Sequence, residues 1–484
     1  MASLSHPDRK RLYGLSVLLL FCFYMLWPVN FYLAETVKST YYRMAVPVLI
    51  AGVLYFRRLR DGWEGRLLLA YWLWFWLTRV LNGSPALQHD FQLTFDLGLM
   101  FPLFVLGLSL DRDGRRRFLN WFSALVGGYH FLLAAICLYA FMTHRLLINP
   151  ITEGSLGMQG VSGFQRINIL DTNPDATSYW FMMSLFLMVY QFFACRRKLW
   201  RIPILLSALL DGLVISITFT RSVMLAVSVG FGFLAALLLW QALRGRTRWL
   251  RAVAALLAVL LVVPLLYKGF SLCGDGLTRL SFALCPVERA SVSEAVPRET
   301  ETVPSEAEAP AEQEAEAAPP VLSSAEARST FVQHNSQLGG LLGKLDDLST
   351  LRLTVWRSAF LALRLKPSVL WKGQLTRDTM VLSNPFTPHN PPHYHNALIQ
   401  VLMTTGLPGL LLILALLVLT VRGCLKLLLS DAPEATTAAK TLALPVAAAL
   451  VYYLLEAGLF TDCDVRPLYY YIMSGMALGF ARDA

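Results

Sequence analysis

The sequence predicts an all-α polytopic integral membrane protein with about twelve transmembrane helices and one large extracytoplasmic loop. Three observations predict it. The 484 residues are 56% hydrophobic and only 15% charged, with a mean hydropathy of +0.51, whereas soluble domains run at about 45–50% apolar. Apolar runs recur at lengths that suit a bilayer core, which needs about 20 residues per helix. The basic residues gather in short clusters that fall in alternate gaps between those runs, which is the pattern of cytoplasmic loops. That distribution also explains the formal charge of +10 without a nucleic-acid-binding face.

The predicted spans are 12–33, 41–56, 66–82, 93–110, 118–143, 175–195, 202–219, 222–243, 249–267, 396–421, 438–458 and 466–481. The first run is too long for the apolar core of a signal peptide and lacks a small-residue cleavage site. Basic clusters stand at Arg9-Lys10-Arg11, Arg57-Arg58-Arg60, Arg112 with Arg115 to Arg117, Arg196-Arg197-Lys198, Arg244-Arg246-Arg248, and Arg422 with Lys426. The opposite gaps hold few cations: Lys38, Arg43, Arg79, Arg221 and Arg466. Counted this way, both termini lie in the cytoplasm.

The chain then divides into three stretches. Residues 1–267 carry spans one to nine, with an outer loop at 144–174. Residues 268–395 form the large outer loop, and residues 396–484 carry spans ten to twelve. Within the large loop, 288–328 holds ten Glu against three Arg among Ala, Pro and Ser, a composition that cannot bury a core and predicts disorder. The run 350-TLRLTVWRSAFLALRLK-366 is different. Its apolar residues recur at helical spacing beside a basic face, which predicts an amphipathic helix at the membrane surface, ended by Pro367. Cys273 and Cys285 lie twelve residues apart in this loop, where a disulfide is permitted. Cys22, Cys137, Cys195 and Cys424 read as small apolar residues, and no Cys/His spacing suggests zinc.

Polar residues that could carry chemistry collect on the outer side. His395-Asn396 opens the tenth span, in 393-HYHNALIQVLMTTGLPG-409. Eleven residues, close to three turns, separate His395 from Gly406, so the spacing puts both on one face. Gly406, Pro408 and Gly409 disturb the hydrogen-bond ladder and let another element approach closely. The bland reading makes His395 a solvated loop residue and Asn396 a helix cap. Arg221 sits in a very short turn between two spans, where an arginine either snorkels or binds an anion. Arg352 and Arg357 lie five apart on the amphipathic helix, about 140° around its axis, so one of them faces any given ligand. Arg166 and Asn173 stand toward the end of the first outer loop, where Asn173 also fits turn chemistry. Asp96 and His130 are polar residues inside spans, which a transporter or flippase would use; no internal repeat supports that alternative. Guanidiniums match phosphate oxygens in a bidentate way, and imidazole takes a proton near neutral pH. Together they fit attack by a hydroxyl on a substrate whose leaving group is a phosphate or pyrophosphate. Asp346, Asp347, Asp462 and Asp464 are also external, at spacings that form no metal site.

These residues also carry a resemblance. The run 395-HNALIQVLMTTGLPG-409 resembles the His-Asn-x9-Gly-Leu-x-Gly signature of the O-antigen ligase and polymerase superfamily of bacterial membrane glycosyltransferases. The 220-TRS-222 turn looks like that family's arginine at a helix junction. The run 349-STLRLTVWRSA-359 is similar to its Ser-x-Arg-x3-Trp segment, with one extra residue between Ser349 and Arg352. The run 367-PSVLWKGQ-374 resembles its Pro-x3-Gly-x-Gly stretch, with only Gly373 of the paired glycines evident. The resemblance covers roughly residues 90–480. It implies a GT-C-like arrangement in the bacterial cytoplasmic (inner) membrane, active on the extracytoplasmic side. It also implies an inverting, metal-independent glycosyltransferase without cofactor, serving lipopolysaccharide or other polysaccharide biosynthesis in the cell envelope. The donor would be a glycan on undecaprenyl pyrophosphate and the acceptor a lipid or glycan hydroxyl. Arg221 and Arg352 would hold the pyrophosphate, and His395 would be the base or orient the acceptor. Asn396, Arg166, Gly406 and Gly409 would support the site. Ligase, polymerase of lipid-linked repeats, and protein O-glycosylation all remain open. The acidic stretch at 288–328 matches nothing in the family pattern.

Overall fold

The computed structural model describes residues 6–26, 46, 48–50, 62–83, 87–143, 147–148, 155–161, 164–168, 174–284, 352–374, 394–432, 435–456 and 467–484. The described chain is helical. Its helices are α1 (His6–Leu26), α2 (Trp63–Leu81), α3 (Leu87–Ser109), α4 (Arg112–Thr143), α5 (Pro174–Ala194), α6 (Arg201–Thr218), α7 (Arg221–Ala242), α8 (Arg248–Leu284), α9 (Arg352–Leu365), α10 (Val369–Lys372), α11 (Ala397–Leu429), α12 (Thr437–Thr441), α13 (Ala443–Leu455) and α14 (Pro467–Asp483). A small antiparallel sheet sits between α4 and α5, formed by β1 (Leu147–Ile148), β2 (Ser155–Val161) and β3 (Phe164–Asn168) in the order β1-β2-β3. Its main hairpin pairs Gln159 with Arg166. Periodicity gave no sign of it, because it lies in a polar connection that hydropathy reads only as a gap.

Among the described residues six stretches are long and apolar enough to cross a membrane: Arg112–Thr143, Lys198–Thr218, Arg221–Ala242, Arg248–Leu284, Ala397–Leu429 and Thr437–Leu455. The predicted span at 41–56 lies outside the described residues except for 46 and 48–50, and the acidic stretch at 288–328 lies wholly outside them, as do Cys285 and His393. The helix predicted at 249–267 runs on to Leu284 without stopping at Pro264. A proline inside a membrane helix is tolerated when neighbours re-satisfy the freed carbonyl.

Lipid and core faces separate clearly. Along α6 and α8, Ile202, Leu205, Leu209, Leu256, Leu260 and Leu265 are exposed; an apolar stripe of this size turned outward is a lipid-facing surface. By contrast, α14 is buried from Pro467 to Ala481. It packs tightly on α3: a Cβ added at Gly475 would lie 2.0 Å from the Phe104 carbonyl oxygen, and one at Gly479 2.3 Å from that of Gly107. Small residues four apart let membrane helices approach to this distance.

Ion pairs mark one end of the bundle. Arg115 meets Asp483, Arg482 meets Glu64 at 2.9 Å, and Arg244 meets Asp431 at 3.4 Å. These residues lie at the starts of α2 and α4 and at the ends of α7, α11 and α14. Arg221, Arg352 and His395 fall at the other end.

Candidate functional site

The site is built where α11 begins, α13 ends and α9 crosses them. Asn396 is the N-cap of α11, and its side-chain oxygen accepts from the backbone N–H groups of Leu398 and Ile399, each at 3.0 Å. Its amide nitrogen donates to the Leu454 carbonyl at 2.9 Å, fastening the start of α11 to the end of α13. Asn396 is thus a cap, as the bland reading held, and a clamp as well.

His395 stands just before the helix in the left-handed region, at φ 49°. A non-glycine residue there is uncommon and is held by its surroundings. The holding is visible on its neighbour: Tyr394 is buried, its N–H donates to Gln400 Oε1 at 3.0 Å, and its carbonyl accepts from Trp356 Nε1 at 3.0 Å. Because His395 lies outside the helix, and α11 itself breaks at Gly406, the one-face spacing argument does not determine where the imidazole points.

Glu456 determines it. This residue ends α13, and its side chain is 4% exposed. His395 Nδ1–H donates to Glu456 Oε2 at 3.0 Å, and Arg352 Nη2 donates to Glu456 Oε1. The carboxylate therefore selects the Nδ1–H tautomer and makes Nε2 the accepting nitrogen of the ring. His395 remains 30% exposed and Arg352 17%. An imidazole oriented by a buried carboxylate is the arrangement of a general base.

The helix α9 (Arg352–Leu365) falls within the predicted run 350–366, whose residues 350 and 351 lie outside the described ones. Ala359, Val369, Tyr394 and Met403 form a small separate core beneath it. Arg352, Val355, Trp356 and Ala359 recur at three and four residues, so one stripe of α9 carries both the packing and the guanidinium. The side chain of Arg357 lies outside the described residues.

The break in α11 is stabilised from two sides. Gly406 takes φ 69°, ψ −175°, and Gly373, just after α10, takes φ 64°, ψ −167°. Both values lie in a region open essentially to glycine alone. A Cβ on Gly373 would lie 2.2 Å from the Thr404 oxygen, and one on Gly406 2.5 Å from the Trp371 oxygen. The two backbones thus touch, and Gln374 N–H donates to the Met403 carbonyl at 3.0 Å. From α2, Trp74 Nε1 donates to the Thr405 carbonyl at 2.7 Å, and Asn82 Nδ2 to that of Lys372 at 3.1 Å. Pro408 removes one donor from the ladder; Trp74 serves a carbonyl that the break sets free. Gly409 lies against the Thr405 side chain and Trp74.

Arg221 is the first residue of α7, exposed, after a turn in which Phe219 takes φ 51°. Since α7 packs on α13 and Gln241 near its end meets Thr437 just before α13 at 3.3 Å, the two run antiparallel, and Arg221 and Glu456 lie at the same end of that pair. Arg166 is in β3, and its side chain is outside the described residues, as is that of Asp96. His130 is a buried core residue whose Nδ1 lies 2.8 Å from the Val126 carbonyl.

Residues 206–414 match a family described as O-antigen ligase. This match supports membership of the O-antigen ligase/polymerase superfamily. No curated protein matches it. The O-antigen ligase segment includes Arg221, Arg352, Gly373, His395, Asn396, Gly406 and Gly409 and stops short of Glu456. Sequence reasoning missed Glu456. Its signal was present, since it is a lone carboxylate near the outer end of the apolar run 438–458, and an ionisable residue there is functional by default. The match and the several apolar helices support a multi-pass membrane protein that transfers glycan.

Proposed function

We propose that this protein transfers a glycan from undecaprenyl pyrophosphate to an acceptor hydroxyl at the outer face of the cytoplasmic membrane. The observation that carries the reading is the His395–Glu456–Arg352 constellation at the end of the bundle away from the basic clusters, which the positive-inside rule assigns to the outside. The acceptor O–H gives its proton to His395 Nε2. The oxygen forms its bond to the anomeric carbon on the face opposite the pyrophosphate. The bond from that carbon to the pyrophosphate oxygen breaks, and undecaprenyl pyrophosphate leaves with the electron pair. Configuration inverts.

In this reading the pyrophosphate charge is met by guanidinium groups and no metal ion is required. Arg352 has five N–H donors in a fixed fork; one nitrogen holds Glu456, and the remainder serve the leaving group. Arg221 supplies the second cation. Glu456 holds the imidazole and balances the imidazolium as it forms.

His395→Ala is expected to abolish transfer in a reconstituted assay while expression and membrane insertion stay normal; near-normal transfer would remove the mechanism. Ligase and polymerase separate on the acceptor. With lipid-linked glycan alone, lengthening of the chain identifies a polymerase, and reaction only after a second acceptor is added identifies a ligase.

A further inference from the structure

The opposite end of the bundle holds a polar cavity that the transfer reaction does not use. It has a volume of about 720 Å³ and lies between the second and third turns of α4, the end of α5, the start of α12 and the last turn of α14. Volumes of this order accommodate a small ligand. Arg116 and Arg196 line it, with the side chains of Asn120, Gln191 and Thr436 between them and the buried ring of Phe480 at one wall.

Among the described residues no Asp or Glu lines this cavity. Among the described residues neither Arg116 nor Arg196 makes an ion pair, whereas neighbouring cations at this end do: Arg115 with Asp483, Arg482 with Glu64 and Arg244 with Asp431. The polar neighbours can donate. Gln191 Oε1 accepts from Ser123 at 2.9 Å, which leaves its amide N–H groups as donors. Thr436 Oγ1 accepts its cap bond from Ala439 N–H at 3.3 Å and keeps its own proton to give. Two guanidiniums with amide and hydroxyl donors form a receptor for phosphate oxygens. Basic pockets between membrane helices at a bilayer surface bind phospholipid headgroups in this way.

We propose that this cavity binds a phosphate ester through Arg116 and Arg196, supplied by an anionic phospholipid headgroup or by a soluble ester. The inference is independent of the transfer reaction and is read by binding alone.

The full-length protein, purified in detergent, is titrated separately with phosphatidylglycerol, phosphatidylcholine, glycerol 3-phosphate and inorganic phosphate. Native mass spectrometry and the shift in melting temperature are the readouts. Phosphatidylglycerol is expected to be retained, and R116A/R196A to weaken it at least tenfold. Asn120→Trp, which fills the cavity from an exposed position and keeps both arginines, is expected to weaken it as well. Melting without ligand shows that each variant is folded. If glycerol 3-phosphate or inorganic phosphate binds with the same dependence on the two arginines and phosphatidylglycerol binds no better, the site stands and its ligand is soluble. Binding by R116A/R196A at the wild-type level overturns the proposal. So does an equal loss in R117A/R197A, whose exposed arginines lie outside the cavity, because that is attraction to a basic surface.

Discussion

At the residue scale, Glu456 makes the sharpest prediction. It orients His395 and neutralises Arg352 with one carboxylate, so its two jobs can be separated by substitution. Glu456→Gln keeps the shape and a carbonyl acceptor but loses the charge that balances the imidazolium. Transfer is expected to fall about 10²–10⁴-fold, the usual contribution of proton transfer to a positioned side chain, with little change in melting temperature. Glu456→Ala also leaves the Arg352 guanidinium largely buried without a counter-charge, which costs about 3 kcal/mol or more; a lower melting temperature in that variant alone is the expected result. Equal activity of Glu456→Gln and wild type would show that the contact is structural only. His395 and Arg352 were legible in the sequence because their residue types and placement announce phosphate and proton chemistry. Their shared partner was not, since a glutamate reads as one more polar end of a span until α13 is seen to stop beside α11.

At the element scale, the break in α11 and the short helix α10 form one unit. Gly406→Ala forces a Cβ into φ 69° and to within 2.5 Å of the Trp371 oxygen. The backbone conformation alone costs about 1–3 kcal/mol, and the contact displaces α10. Loss of transfer with the chain still inserted is expected, and Gly373→Ala should behave alike because it faces Thr404 across the same contact. Trp74→Phe removes the donor to the Thr405 carbonyl and is expected to cost about 1–3 kcal/mol, measured as a fall in melting temperature. The sequence showed that α11 would be disturbed, because Gly-Leu-Pro-Gly cannot continue a regular ladder. What closes on the gap was not readable: α10 comes from the far side of a long loop and Trp74 from 331 residues away. The span pattern was legible for an opposite reason. Hydropathy and charge alternate along the chain itself, so no distant partner is needed to see them. The hairpin at 147–168 lacked such a signal.

At the scale of the whole molecule, the two ends carry different chemistry. One holds the ion-paired basic clusters, the other the constellation around Glu456, and both ends are fixed by the same alternating helices. The stretch at 288–328 is expected to be dispensable: removing residues 290–325 should leave transfer largely unchanged, because a longer surface connection costs little beyond its closure entropy. Complete loss of activity in that deletion would make the stretch a working part. Glu456 has a last consequence at this scale. The carboxylate that readies the imidazole is the same one that seats α9, so readiness and docking are a single event. A molecule whose surface helix has lifted away leaves the Glu456 carboxylate without the guanidinium that meets it. Under the proposed mechanism, transfer then waits on the outer helix, with no separate latch required.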